Sequence, residues 1–221
     1  MARVPAEFRK SSDNIIGTFD STDLITGKGQ ILFDAFGATQ SGSAIVRRIA
    51  PSQLYYTEPD YFSGTVTVNQ DNMTLTDTVT IDGDTFARPQ IMQGKAYLSI
   101  TYFVTGTSTS GNSFLRITLQ KYNTATGSAI DLDYAETPQV GSTFDSKHAL
   151  VDFDIANTSF SANENIRLKI EVYATRTGGA GNAFGGFFHD PINRDKTVPI
   201  SATASAKPTY LKLFLPFKVN L

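Results

Sequence analysis

The sequence predicts an all-β protein: an antiparallel jelly-roll β-sandwich with an extended N-terminal arm over residues 1–29, a jelly-roll domain over residues 30–221, and a long loop before the C-terminal strand. Three observations predict it. First, apolar and polar residues alternate with a period of two in the last third of the chain. Ile166, Leu168, Ile170 and Val172 alternate with Arg167, Lys169 and Glu171, and Leu211, Leu213, Leu215, Phe217 and Val219 with Lys212, Phe214, Pro216 and Lys218. That period puts each apolar set on one face of a sheet. Second, no stretch carries a helical stripe with caps. Third, β-branched and aromatic runs recur between turn residues at the spacing of a sandwich, roughly eight to ten of them.

Taken in order, residues 1–30 are polar, with scattered apolar residues Phe8, Ile15, Ile16, Phe19 and Leu24 that keep no sustained period. Such anchors suit an arm that orders on a neighbouring subunit, and equally a disordered tail. Gln30–Phe36 reads as the first strand and 37–42 as a turn. Short strands are expected at Ala44–Ile49, Leu54–Tyr56, Tyr61–Phe62, Thr65–Val68 and Thr78–Ile81, the last closed by a tight turn at Asp82-Gly83-Asp84. Ala96–Val104 and Ser113–Tyr122 are a strand pair joined by a loop at Thr105–Asn112, with Leu115, Ile117 and Leu119 inward. A turn at Asn123–Gly127, a strand at Ile130–Tyr134 and a loop at Glu136–Ser146 lead to Leu150–Ile155, with Val151, Phe153 and Ile155 inward. Between Ile166–Ala174 and Tyr210–Leu221 lies a glycine-rich excursion, Thr175–Lys207, far longer than a hairpin loop. Long loops on rigid sheets usually carry function.

Composition narrows the function. In 221 residues, 40% are hydrophobic and only 18% charged, with Ser, Thr and Gly filling the gap. The length fits one large β domain with a substantial core. The net charge of −2 and the pI near 5.7 argue against packaging nucleic acid, because Arg3, Arg9 and Lys10 are too few for a basic arm. There is no cysteine, hence no disulfide and no thiolate metal site. No apolar run is long enough to span a bilayer, and the N-terminus lacks a signal peptide's apolar middle. Synthesis in a cytoplasm, without export by that route, is expected.

Candidate chemistry is sparse. His189 stands in Phe187-Phe188-His189-Asp190-Pro191 with Arg194 nearby. An acid–base or metal role is conceivable. Adjacent residues on an extended chain point apart, and no nucleophile elbow accompanies them, so a structural turn is the favoured reading. Three carboxylate pairs (Asp82/Asp84, Asp131/Asp133, Asp152/Asp154) place two acids on one face of a strand or turn. Each could chelate calcium or serve a glycosidase, Asp82/Asp84 best because glycine lets a turn wrap an ion. Chance spacing and solvated edges explain them more simply. With nine Tyr, sixteen Phe and no Trp, a sugar-stacking module is disfavoured. Phe184, Phe187 and Phe188 lie among glycines, and three phenyl rings left in water would be costly. They fold back onto the barrel or enter a neighbouring subunit.

The run ENIRLKIEVYAT, the loop containing FFHDPINRD and the closing YLKLFLPFKVNL resemble structural proteins of tailed bacteriophages, with the early TGKGQILFDAFGA loosely similar to their opening strand. The resemblance covers about the last quarter of the chain, and Phe188 stands where a glycine commonly precedes the HDP element. It implies a jelly-roll virion component, most like a capsid decoration (cement) protein. Such a protein would be a homotrimer on the major capsid protein shell, at the virion's capsid surface, without catalysis or cofactor, and without nucleic-acid, membrane or small-molecule partners. The expected subunit or partner interface is Phe184, Phe187, Phe188, His189, Asp190 and Arg194. Three other functions stay open: a tail, baseplate or fibre module binding host glycan through loops such as Thr105–Asn112, a single-jelly-roll major capsid protein, and a jelly-roll hydrolase.

Overall fold

The computed structural model describes residues 17–18, 28–39, 45–51, 61–63, 72–106, 109–142, 144–179, 181–189 and 209–218. Thirteen strands and no helix appear among them: β1 Gly17–Thr18, β2 Lys28–Thr39, β3 Ile45–Ala50, β4 Tyr61–Ser63, β5 Thr74–Gly83, β6 Gln90–Gly106, β7 Thr109–Asn123, β8 Ala129–Glu136, β9 Val140–Ser142, β10 Phe144–Phe160, β11 Glu164–Gly179, β12 Ala183–Phe188 and β13 Leu211–Lys218.

Eight of these make the jelly roll. One layer runs β2-β13-β6-β10 and the other β5-β11-β7-β8. Numbered along the chain, the eight give the orders 1-8-3-6 and 2-7-4-5, in which the first and last strands are neighbours and sequence-distant strands pair throughout. All pairings are antiparallel except β3 with β5, where Arg48 and Ile49 run parallel to Asp82 and Gly83. That contact continues the ladder from one layer into the other. β12 extends the first layer beside β6, with β4 on its far side. β9 extends the second beside β7.

The alternation seen in the sequence sets the core. Leu115, Ile117, Leu119, Leu168, Ile170, Leu213 and Leu215 are all fully buried, and Val151, Phe153 and Ile155 nearly so. The registers stack them: Leu168 sits between Ile81 and Leu119, and Leu213 between Phe33 and Leu98. Phe86 closes one end, edge-on to Phe160 at 5.2 Å and to Phe217 at 6.0 Å. Near that end, β6 shifts register against both β10 and β13. Gly94 lies at the shift with φ of 116°, a left-handed backbone that only glycine adopts without strain.

Several expected boundaries move. Most of the loop expected at Thr105–Asn112 is strand, because β6 runs on to Gly106 and β7 begins at Thr109, with residues 107–108 outside the described residues. The loop at Glu136–Ser146 contains β9 and the start of β10. The expected turn at 37–42 is β2 as far as Thr39, and Asp82–Gly83 ends β5. The largest change concerns the excursion at Thr175–Lys207, whose glycine-rich half is largely strand: β11 runs on to Gly179 and β12 follows from Ala183. Small residues suited to a loop also let two strands come close, and here the second use prevails. Gly17–Thr18, within the expected arm, pairs with Ile31 and Gln30 of β2. The strands expected at Leu54–Tyr56 and Thr65–Val68 lie outside the described residues.

Candidate functional site

β12 carries three of the six expected interface residues, Phe184, Phe187 and Phe188, to the open end of β6, and His189 directly follows it. Period-two alternation sends Phe187 into the main core, opposite Tyr102, and Phe188 to the other face of the sheet, against Phe103 at 5.2 Å between ring centroids. Both phenylalanines are buried by their own subunit, at 0% and 3% exposure, and Phe184 is half-buried. His189 follows at 0% exposure. Its Nε2 accepts a hydrogen bond from Arg47 Nε at 3.4 Å. An accepting Nε2 requires neutral imidazole with its proton on Nδ1. Burial also lowers the Arg47 pKa, an effect opposed by Asp77. His189 is thus buried within its own subunit, held beside Arg47. Asp190 and Arg194 lie outside the described residues, as does Ser201–Lys207.

Each carboxylate pair has local partners. Arg167 grips Asp82 with Nε to Oδ1 at 2.5 Å and Nη2 to Oδ2 at 2.9 Å, while its guanidinium lies 3.3 Å from the centroid of the Tyr122 ring. Asp84 stands 3.9 Å from Arg48. Asp131 accepts from Gln120 at 2.6 Å, and Asp133 accepts from the Asp154 backbone N–H at 2.6 Å. Asp152 and Asp154 share Lys95 Nζ, which raises the lysine pKa and lowers that of Asp152. These acids tie strands together: Asp82 joins β5 to β11, Asp131 joins β8 to β7, and Asp133 joins β8 to β10.

A second polar group, which no local motif announces, is assembled by the sheet. On the outer face of the first layer, His148 of β10 has Nε2 3.0 Å from Ser99 Oγ and Nδ1 2.9 Å from Thr101 Oγ1. Tyr210 stands edge-on to the ring at 5.8 Å. Lys212, paired with Ser99, reaches within 4.0 Å of Asp34 Oδ1 on β2. Asp34 is 7% exposed, and desolvation raises its pKa against the pull of Lys212. The signal was the small hydroxyls at alternate positions of AYLSITYFV, which mark a polar stripe on the face opposite the core.

Ser99 and His148 have the spacing of a nucleophile and base, but the geometry does not build a hydrolase. The group at Nδ1 is a hydroxyl, which gives an imidazolium far less support than a carboxylate would. Ser99 lies mid-strand, paired to β10 on one side and β13 on the other, so its own backbone N–H is committed to the ladder and offers no oxyanion donor.

Partial burial of the ring holds the His148 pKa below the ordinary imidazole value. A depressed histidine favours the neutral form in the fold, so the unfolded chain takes up the proton first as pH falls. Stability contributed by His148 is therefore present above about pH 6.5 and declines below it. The urea midpoint of the wild type should fall more between pH 7.5 and pH 5.5 than that of His148→Gln. Parallel pH profiles for the two proteins would show the ring to be unperturbed.

No family model matches the chain, and no curated protein matches it significantly. Among solved structures, an alpha-amino acid ester hydrolase aligns at 12% identity over 64% of this chain and 26% of its own, with a TM-score of 0.43. A structure of infectious bursal disease virus, Gt strain, aligns at 10% identity over 87% of this chain and 44% of its own, with a TM-score of 0.27. The VP2 subviral particle of infectious bursal disease virus gives 13%, 87%, 44% and 0.20 for the same quantities. The chain thus spans about a quarter of the first protein and less than half of the other two. At these scores the likenesses carry no argument about function.

Proposed function

We propose that the chain is a virion structural protein of the tailed-phage type, and that it serves as a capsid decoration protein, a homotrimer seated on the major capsid protein shell. The observation that carries this reading is the place of the phage-like segments. ENIRLKIEVYAT lies in β11, Phe187 and Phe188 end β12 with Phe187 in the main core and Phe188 on the other face against Phe103, and LKLFLPFK is β13, between β2 and β6. The described residues that carry the resemblance thus lie in the strands that close the jelly roll, which supports the reading. The site would be the capsid surface, after synthesis in a host cytoplasm. Residues Phe184, Phe187, Phe188, His189, Asp190 and Arg194 keep a proposed role in partner contact, divided by burial. Phe187, Phe188 and His189 anchor the end of β12, whereas the half-buried Phe184, with Asp190 and Arg194, would supply contact.

Cryo-electron microscopy of purified virions tests the reading. Trimeric density matching this jelly roll on the outer shell is the expected result, and its absence from the shell overturns it. Within that reading, Phe184→Ser should weaken attachment to undecorated shells while leaving the unfolding midpoint close to wild type. Phe187→Ser and Phe188→Ser should lower the midpoint first, because both rings are buried within the subunit. Unchanged attachment by a folded Phe184→Ser protein would remove this end of β12 from the interface.

A further inference from the structure

β6 has two edges, and its pairings assign each of them. β10 runs along one edge, from Thr105 down to Gln90. The other edge is divided: β12 takes Gly106 to Tyr102, and β13 takes Ile100 to Met92. Tyr102 pairs with Lys147 on one side and Phe187 on the other, and Ile100 pairs with Ala149 and Leu211 in the same way. β12 and β13 therefore lie end to end on a single track, both antiparallel to β6.

They also agree in register and phase. Phe187 faces Tyr102 and Leu211 faces Ile100. Phe188, the last residue of β12, thus falls opposite Thr101 with no position left over. Side chains alternate across the break as they do within one strand. Phe187 enters the main core, Phe188 lies on the other face, Leu211 enters the core again, and Lys212 turns away from it. Two strands with separate places in a fold have no reason to match in edge, direction, register and phase at once.

The far flank explains why the chain departs here. β2 accompanies β13 as far as the Asp34–Lys212 pair, and from Asp34 to Thr39 it runs with β3. β4 flanks β12 from Gly186 to Phe188. The neighbour changes at the break, so no far-side ladder spans the point of departure. Each root is pinned, His189 beside Arg47 and Tyr210 edge-on to His148 at 5.8 Å.

We propose that β12 and β13 are two halves of one jelly-roll strand, and that residues 190–208 are an appendage inserted into it, on whose sequence and length the sandwich does not depend. Asp190 and Arg194, given a part in partner contact above, fall within the appendage, so that contact would be separable from the fold. The inference goes beyond the decoration role and is tested in free protein, so a failure at the shell leaves it standing.

Variants in which Gly/Ser linkers of about 5, 10 and 20 residues replace residues 190–208 provide the test, because closing a flexible loop costs little more as it lengthens. His189, Thr209 and Tyr210 stay in all three. Each variant should keep the circular dichroism of a β-sheet, with a urea midpoint and m-value close to wild type and a midpoint that drifts only slightly down with length. As the control, the shortest linker inserted between Leu213 and Phe214, inside β13, should abolish cooperative unfolding. A midpoint loss at every length as large as that of Leu168→Ala overturns the proposal. So does failure of all three variants to fold, or a fall in the m-value, which would mean that the replaced residues bury surface in the sandwich. Tolerance of the linker at the control position overturns it too, because β13 would then have no need to be continuous.

Discussion

Leu168→Ala and Leu213→Ala should each lower the unfolding free energy by about 2–5 kcal/mol, the range for deleting a buried leucine side chain and leaving a cavity. Leu168 is central to the second layer, flanked by Ile81 and Leu119, and Leu213 is central to the first, flanked by Phe33 and Leu98. Both are wholly buried. Each has paired strands on both sides, so the backbone cannot collapse into the space left behind. Lys169, one residue along on the opposite face and ion-paired to Glu171 at 2.8 Å, provides the control: Lys169→Ala should cost no more than about 1 kcal/mol. Urea unfolding with a constant m-value measures all three. A loss below about 1 kcal/mol at Leu168 would mean that the second layer is not packed as described.

Gly185→Val should be comparably damaging for the opposite reason. Gly185 lies on β12 where it crosses over β7 and β11. A Cβ built there runs into Ser113 Oγ and comes within 2.9 Å of Val172 Cγ1. Ser113 is fully buried, and its hydroxyl donates to the Tyr173 carbonyl at 2.8 Å. Overpacking costs about 1–3 kcal/mol, and a displaced buried hydroxyl adds about 1–3 kcal/mol more. Gly185→Ala should show a smaller loss of the same kind, and combining it with Ser113→Gly should recover part of that loss. An additive double mutant would show that the two residues do not meet. Asn182→Ala, at an exposed position just before β12, should be nearly silent.

The long strands were legible because each buries one face, and burial of one face writes a period of two into the sequence. β7, β11 and β13 declare themselves through Leu115, Leu168 and Leu213. β12 did not. AFGGFF is buried on both faces, so it has no alternation, and its glycines read as a loop although they serve close packing. The residues expected at an interface were legible as unusual but not as to destination. The sequence says that Phe187 and Phe188 must leave water, and only the register with Tyr102 and Phe103 shows that the same subunit receives them. The His148 group was hidden for another reason. Ser99, Thr101, His148 and Lys212 come from three strands, and nothing local in any of them announces the others.

The pairing of Asp34 with Lys212 has a consequence for how the fold is reached. β13 fills the slot between β2 and β6, yet it is the last of the described strands to leave the ribosome. Until then β2 and β6 lack the neighbour that joins them, and their apolar rows have no partner strand. Closing a loop of that length precedes the reward for closing it, which places the protein among slow-folding β topologies, on the millisecond-to-second scale. During that interval the nascent chain carries open sheet edges, the condition under which like chains pair with one another. A protein made in many copies at once would meet that hazard most often early in its synthesis, before β13 has emerged on most chains.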